Sequence, residues 1–184
     1  TALIINLYKF IAGHVIHWSE EVYHYMQEKP ILLLPATIVL LGAAYGVAVI
    51  HKKWPSIKGG GIPDSIGILR GVISFKWISM LVGTFFASLT TFFIGVPLGN
   101  EGPSVQMGTA VGRGSIPRKL KKHKAWKRYT MTGGACAGFS VATGAPISGI
   151  LFAIEEAHQR ISPMIFMVAA VSVSTSYLTT ELVA

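Results

Sequence analysis

Four stretches of this chain carry no Asp, Glu, Lys or Arg: residues 31–50, 77–98, 129–154 and 161–180. Each reaches the roughly 20 residues that an α-helix needs to cross about 30 Å of hydrocarbon. A fifth stretch, residues 1–19, holds Lys9 as its single charge. Uncharged runs of this length are what a bilayer demands, because a charged side chain at its centre is costly. Of the 184 residues, 51% are hydrophobic and 13% charged, against about a quarter charged in soluble domains. The mean hydropathy of +0.53 agrees. The chain is therefore read as one all-α, multi-pass integral membrane unit embedded in a lipid bilayer.

The charges that remain are sorted by place. The net charge is +8. PRKLKKHKAWKR, residues 117–128, holds Arg118, Lys119, Lys121, Lys122, Lys124, Lys127 and Arg128. HKKWPSIK, residues 51–58, holds Lys52, Lys53 and Lys58. Basic loops between apolar spans mark the cytoplasmic face of a plasma or cell membrane, which is a more economical reading than nucleic acid as a partner. The stretch WSEEVYHYMQEKP instead sets Glu20, Glu21 and Glu28 against Lys29. The first helix is expected to run outward and turn at this acidic stretch, with 31–50 returning to the cytoplasm. Pro30 suits the first turn of that second helix, and Pro35 lies slightly further in. The chain begins at Thr1 without a basic stretch and small-residue cleavage site, so the reading is a trimmed first membrane helix rather than a signal peptide. Cys136 is the only cysteine and sits among Gly and Ala, which excludes an internal disulfide and reads as packing.

The interior of the chain does not read as simple hairpins. KGGGIPDSIG (58–67), GNEGPSVQMGTAVG (99–112) and ATGAPISGILFAIEE (142–156) share one grammar. Glycines come first, then Pro63, Pro103 or Pro146 in a first helical turn, then an apolar stretch too short to span. Pro is favoured there because its missing N–H has no helical partner in any case. Helices broken at membrane depth occur only where protein covers the loose backbone or a wet cavity meets it, and in transporters they point to the binding site. Two further glycine pairs, Gly108 with Gly112 and Gly134 with Gly138, are spaced for close helix packing.

A helix start leaves several N–H groups unpaired and carries about half a positive charge. In a medium of low dielectric this holds an anion without a cationic side chain, and partial charges let the anion leave again. Gly59, Gly60, Gly61 and Ile62 at one start, with Gly99, Asn100 and Gly102 at another, would form such a constriction if both aim at one point. Glu101 is the only acid for a long way in either direction. Ionised, its carboxylate can occupy the same N–H cradle and plug it; protonated, it swings away. That makes Glu101 a gate and a proton carrier. The plainer reading is an acidic first-turn residue that favours the helix dipole.

These boxes resemble those of the CLC family of anion channels and proton-coupled antiporters. GGGIP (59–63) resembles the family's GSGIP, GNEGP (99–103) its GREGP, and TGGACAGFSVATGAPISGILFAIEE (132–156) the stretch that ends in APxxGxLFxxEE. The resemblance implies an inverted-repeat fold, a homodimer with one pathway per subunit, and transport of chloride or fluoride with protons. It matches only the amino-terminal half of a family member, so a second half is missing: the later GxFxP-like start and the anion-coordinating tyrosine are absent, and Tyr177 is out of context for that role. It places Glu156 at the internal proton-relay glutamate, for which a solvated acidic tip at Glu155–Glu156 is the alternative. Ile147, Ile150, Leu151 and Ile154 form an apolar stripe at helical spacing, which falls at the family's dimer contact and could equally face lipid. Two departures matter. The family's serine is Gly60 here and its arginine is Asn100, features similar to the fluoride-transporting branch.

An enzyme finds no support. There is no GxxxxGK[ST] loop and no HExxH pair, and His14 and His17 lack a third ligand. Neither a cofactor nor a bound metal is expected. The alternatives to fluoride–proton antiport are a chloride channel of the same family and a membrane scaffold half-module that transports nothing.

Overall fold

The computed structural model describes residues 1–28, 33–54, 60–96, 99–117, 120 and 123–183. Among them the chain is helical, without strands. The helices are α1 (Ala2–Glu28), α2 (Leu33–Lys53), α3 (Ile62–Leu69), α4 (Trp77–Phe93), α5 (Glu101–Gly114), α6 (Lys124–Thr143), α7 (Pro146–Leu151) and α8 (Pro163–Val183). A π-helical segment, Phe152–His158, continues α7 without a break. Among the described residues α2 and α8 are long and apolar enough to cross a membrane, and α4 is apolar with 17 residues. At 1.5 Å per residue, α3 rises only about 12 Å and α5 about 21 Å. Both are shorter than the roughly 30 Å hydrocarbon core of a bilayer.

One expectation changes and one is met. The acidic stretch is no turn: α1 continues through Glu20 and Glu21 to Glu28, because no Gly or Pro interrupts it before Pro30. His17 and Glu21, one helical turn apart, approach within 3.4 Å on its exposed side. The uncharged segment 129–154 is broken at the Gly-rich box before Pro146, as the pattern of 142–156 implies. Gly144 adopts φ 69° and closes α6 as a left-handed cap. Ala145 is extended, as a residue before proline must be, and Pro146 opens α7 in a new direction. Residues 29–32 with Pro30, residues 55–59 with Lys58, and Arg118, Lys119, Lys121 and Lys122 of the basic run 117–128 lie outside the described residues.

The centre of the fold is the packing of α5 on α6, its most extensive helix interface. A Cβ on Gly108 would collide with the Gly134 carbonyl, and a Cβ on Gly134 with that of Gly108. Gly112 meets Thr130 and Gly138 meets Ser104 in the same backbone-to-backbone fashion. The glycine pairs of the sequence thus remove the side chains that would hold these helices apart. Val105, Ala110, Ala135 and Cys136 fill the remaining volume and are buried. Ala153 and Val173 close the same cluster from the π-helical segment and α8.

Three cations of this fold reach the carbonyls of helix ends. Lys9, the one charge of the first apolar stretch, donates to the carbonyls of Val141 at 2.9 Å and Ala142 at 3.5 Å, in the last turn of α6. Arg128 Nε donates to Leu69 O at 2.9 Å, at the end of α3. Arg70 donates to Glu156 O at 3.1 Å and Ala157 O at 3.4 Å, at the end of the π-helical segment. Terminal carbonyls lack helical donors and carry partial negative charge, so each pairing answers both deficits. Outward, Leu34, Leu41 and Tyr45 of α2 and Leu178 and Leu182 of α8 are exposed, as suits a surface whose solvent is lipid.

Helix approach at glycine makes one comparison decisive. Gly134→Ala forces a methyl into backbone and lowers stability by about 1–3 kcal/mol, the usual cost of overpacking. Gly42→Ala on α2, where nothing lies within 4 Å, is neutral or stabilising by about 0.5–1 kcal/mol. Thermal unfolding of both variants in detergent measures the difference.

Candidate anion site

Helices α3 and α5 begin at the same place. Gly61 has φ 79°, a conformation L side chains rarely adopt. A Cβ there would stand 2.6 Å from Gly102 Cα. A Cβ on Gly102 would stand 2.9 Å from Gly60 O. Only glycine lets the two chain segments touch. The first intrahelical bonds run from Ser65 N–H to Gly61 O and from Ser104 N–H to Asn100 O, each 3.1 Å. The N–H groups of Glu101 and Gly102 lie ahead of the second bond, where helix geometry offers no partner. Neither N-cap, Gly61 or Asn100, contributes a side-chain hydrogen bond. Lys9, Arg70 and Arg128 thus engage helix ends, while these two starts remain without a side-chain cap.

Glu101 is the first residue of α5 and is half-buried. Its carboxylate folds back over Gly99 so closely that a Cβ on Gly99 would collide with Oε2. A cavity of about 370 Å³ lies at this junction. Gly60, Gly61 and Ile62 line it from the α3 start, and Gly99, Glu101, Gly102 and Pro103 from the α5 start. Helix α4 adds Thr84, Ser88 and Thr91, and α2 adds His51. A larger hollow of about 700 Å³, which includes Glu20 and His24, lies alongside, and Phe92 lines both.

Of the residues singled out in the sequence, Gly60, Gly61, Ile62, Gly99, Glu101 and Gly102 are brought together here. Gly59 lies outside the described residues. Asn100 is the N-cap of α5 but does not line the cavity. Glu156 is exposed in the π-helical segment and does not line it either. The four-residue apolar stripe is interrupted: Ile147 is 73% exposed and Leu151 also faces outward, Ile150 packs against the core, and Ile154 lies past the change from α to π winding.

Sequence reasoning missed a polar chain beside the cavity. Thr84 Oγ1 donates to Gln106 Oε1 at 2.9 Å, and Gln106 Nε2 to Asp64 Oδ2 at 3.5 Å. Gln106 is buried on α5 and Asp64 lies in the first turn of α3, so the chain ties both half-helices to α4. A signal was present: Thr84, Ser88 and Thr91 recur at i, i+4 and i+7 within an apolar run, which places three hydroxyls on one helix face.

Against known proteins, residues 36–184 match the family model described as voltage gated chloride channel. The chain is 30% identical over 177 residues to the H+/Cl− exchange transporter ClcA of Vibrio cholerae, covering 89% of this chain and 38% of that protein. It is 30% identical over 176 residues to ClcA of Vibrio vulnificus, covering 93% of this chain and 37% of that protein. The chain thus spans about two fifths of the length of these relatives. A slow cyanobacterial Cl−/H+ antiporter superposes on 98% of this chain with a TM-score of 0.81 at 21% identity, through 44% of its own length. Half-helices that meet start to start, in an all-α chain matched over most of its length, place this protein in the voltage gated chloride channel family.

Proposed function

We propose that this chain is the amino-terminal half of a CLC-type transmembrane domain that moves a small anion against protons, with Glu101 as gate and proton carrier. The observation that carries the reading is the meeting of the α3 and α5 starts in one cavity, with the Glu101 carboxylate at its edge. Backbone N–H groups and helix dipoles supply the attraction. The carboxylate competes for the same place when ionised and vacates it when protonated. The relatives named above are H+/Cl− exchange transporters, which supports coupling of the two flows here.

Fluoride is the preferred ion, chloride the alternative. Gly60 removes the hydroxyl of the family's serine, and Asn100 removes its arginine. Fluoride is small and holds water tightly, so a chloride-sized hydroxyl site does not suit it. Glu156 acts as the internal proton relay, and Ile147 and Leu151 take part in a homodimer contact. The second half of the domain completes the pathway, and loops 51–58 and 117–128 face the cytoplasm.

Reconstitution of the full-length protein in liposomes tests the reading. Glu101→Gln should retain anion leak while proton-coupled exchange falls by about 100-fold or more, the loss expected when a positioned proton carrier is removed. Unchanged coupling would take Glu101 out of the mechanism.

Selectivity has its own test. A Cβ at Gly60 meets only the Pro63 ring, at 3.6 and 3.8 Å, so Gly60→Ser fits. The added donor should shift the fluoride-to-chloride flux ratio toward chloride by about fivefold, the worth of one hydrogen bond. The neighbouring change Gly61→Ser should instead lower thermal stability in detergent by about 1–3 kcal/mol, because its backbone is strained for any side chain. A flux ratio unmoved by Gly60→Ser would remove that position from selectivity.

A further inference from the structure

The hydroxyls that α4 presents to the cavity have their protons engaged elsewhere. Ser88 Oγ directs its proton at Thr84 O, 2.7 Å away, and Phe85 O, 3.1 Å away. Thr91 Oγ1 donates to Ala87 O at 2.7 Å, and Thr84 Oγ1 to Gln106 Oε1 at 2.9 Å. A hydroxyl has one proton, so these three oxygens can only accept from whatever enters the cavity. An anion needs donors and finds none among them. His51 faces the cavity from the last turn of α2 but is only half-buried. Gln106 lines the same cavity from α5 and is 3% exposed. Its amide nitrogen carries two hydrogens. Among the described residues Nε2 meets one acceptor, Asp64 Oδ2 at 3.5 Å.

The orientation of this amide follows from its two partners. Reversed, it would set its carbonyl oxygen against the Asp64 carboxylate, acceptor against acceptor. Thr84 and Asp64 therefore hold Oε1 and Nε2 in their places. One hydrogen of Nε2 goes to Asp64, at a length near the limit of a hydrogen bond. The other has no acceptor in the protein, and a buried donor left so is destabilising and calls for a partner. Gln106 stands four residues after Gly102, on the same face of α5. Long side chains of a helix lean toward its N-terminus, which here is the start that lines the cavity with Gly102 and Glu101.

We propose that the second N–H of Gln106 is a ligand of the halide bound in this cavity: a side-chain donor that adds to the backbone N–H groups of the α5 start, at a site where Gly60 offers no side chain. The inference rests on the reading of the cavity as the anion site. An uncharged donor suits that site, because it attracts the ion without the fixed charge that would hold it from leaving. Thr84 and Asp64 then have a function beyond tying the half-helices to α4: they turn the amide so that its nitrogen, and not its oxygen, is offered to the ion.

The test is calorimetric titration of the full-length protein in detergent with sodium fluoride and with sodium chloride, in a Glu101→Gln background so that the gate carboxylate does not compete. Gln106→Met keeps the length of the side chain and removes its N–H groups. The halide Kd should rise by about tenfold, the worth of one hydrogen bond to a charged group. Gln106→Glu has the same shape and still accepts from Thr84, so it gives a second reading should Gln106→Met fail to fold. It puts an acceptor where the donor was and should weaken binding at least as much at neutral pH. Thermal unfolding separates binding from support. Loss of the tie to Thr84 and Asp64 lowers the unfolding temperature in the absence of halide, whereas loss of a halide ligand also shrinks the rise in that temperature on adding halide. An unchanged Kd and an intact halide-induced rise in either folded variant overturn the inference. If the Glu101→Gln background itself binds neither halide, the reading of the cavity as an anion site has failed; if it binds halide and the Gln106 variants bind equally well, only the assignment of Gln106 has.

Discussion

A helix that stops inside a bilayer leaves backbone polar groups where no water can reach them, and every feature of this chain answers that constraint. The answer begins with contact between backbones. Gly61 lies against Gly102, and Gly108 against Gly134, closely enough that a methyl group at Gly61, Gly108 or Gly134 would meet main-chain atoms. Such contact does two things at once. It covers the loose ends of α3 and α5 with protein, and it excludes the side chains that would otherwise keep the two helix starts apart. The stability of the fold and the convergence of its helix starts therefore rest on the same glycines.

The cations follow a complementary rule. Lys9, Arg128 and Arg70 each bond to carbonyls at or beside a helix C-terminus. None of the three lines the cavity where α3 and α5 begin. Positive side chains are engaged where partial negative charge accumulates, and the partial positive charge of the starts is left uncancelled by a side-chain cap. This also explains why a lysine is tolerated in the otherwise uncharged first stretch. Its ammonium group reaches the end of α6 and does not face hydrocarbon alone.

Much of this was legible in the residues. Pro63, Pro103 and Pro146 do open helices, or sit in their first turn, as the Gly-rich boxes implied, and the small-xxx-small pairs do mark the α5–α6 contact. What was not legible depended on partners distant in sequence. Lys9 reads as an isolated charge until Val141 and Ala142 are brought beside it. Gln106 reads as a helix residue until Thr84 and Asp64 flank it. The acidic end of α1 looked like a loop because charge is a weaker signal than the absence of Gly and Pro, which let the helix continue to Glu28. The π winding from Phe152 has no single-residue signature. It shifts Ile154, Glu155 and Glu156 away from where α-helical spacing would put them, so periodicity counted from Ile147 misplaces them.

That winding bears on how the two acidic sites relate. Glu101 stands at a helix start, ahead of the first intrahelical hydrogen bond of α5 and at the edge of the cavity. Glu156 stands near the opposite kind of end, where carbonyls dominate and Arg70 has bound its own backbone oxygen. A carboxylate near such an end is repelled by the dipole, and its exposure to solvent compensates for that. The two residues therefore differ in their surroundings: a helix start and a cavity for Glu101, an exposed helix end for Glu156. On the proposed reading an anion occupies the α5 start, and of the two residues only Glu101 lines the cavity there. Coupling of anion to proton then belongs, on that reading, to the α5 start, and Glu156 supplies or removes protons without itself sensing the anion.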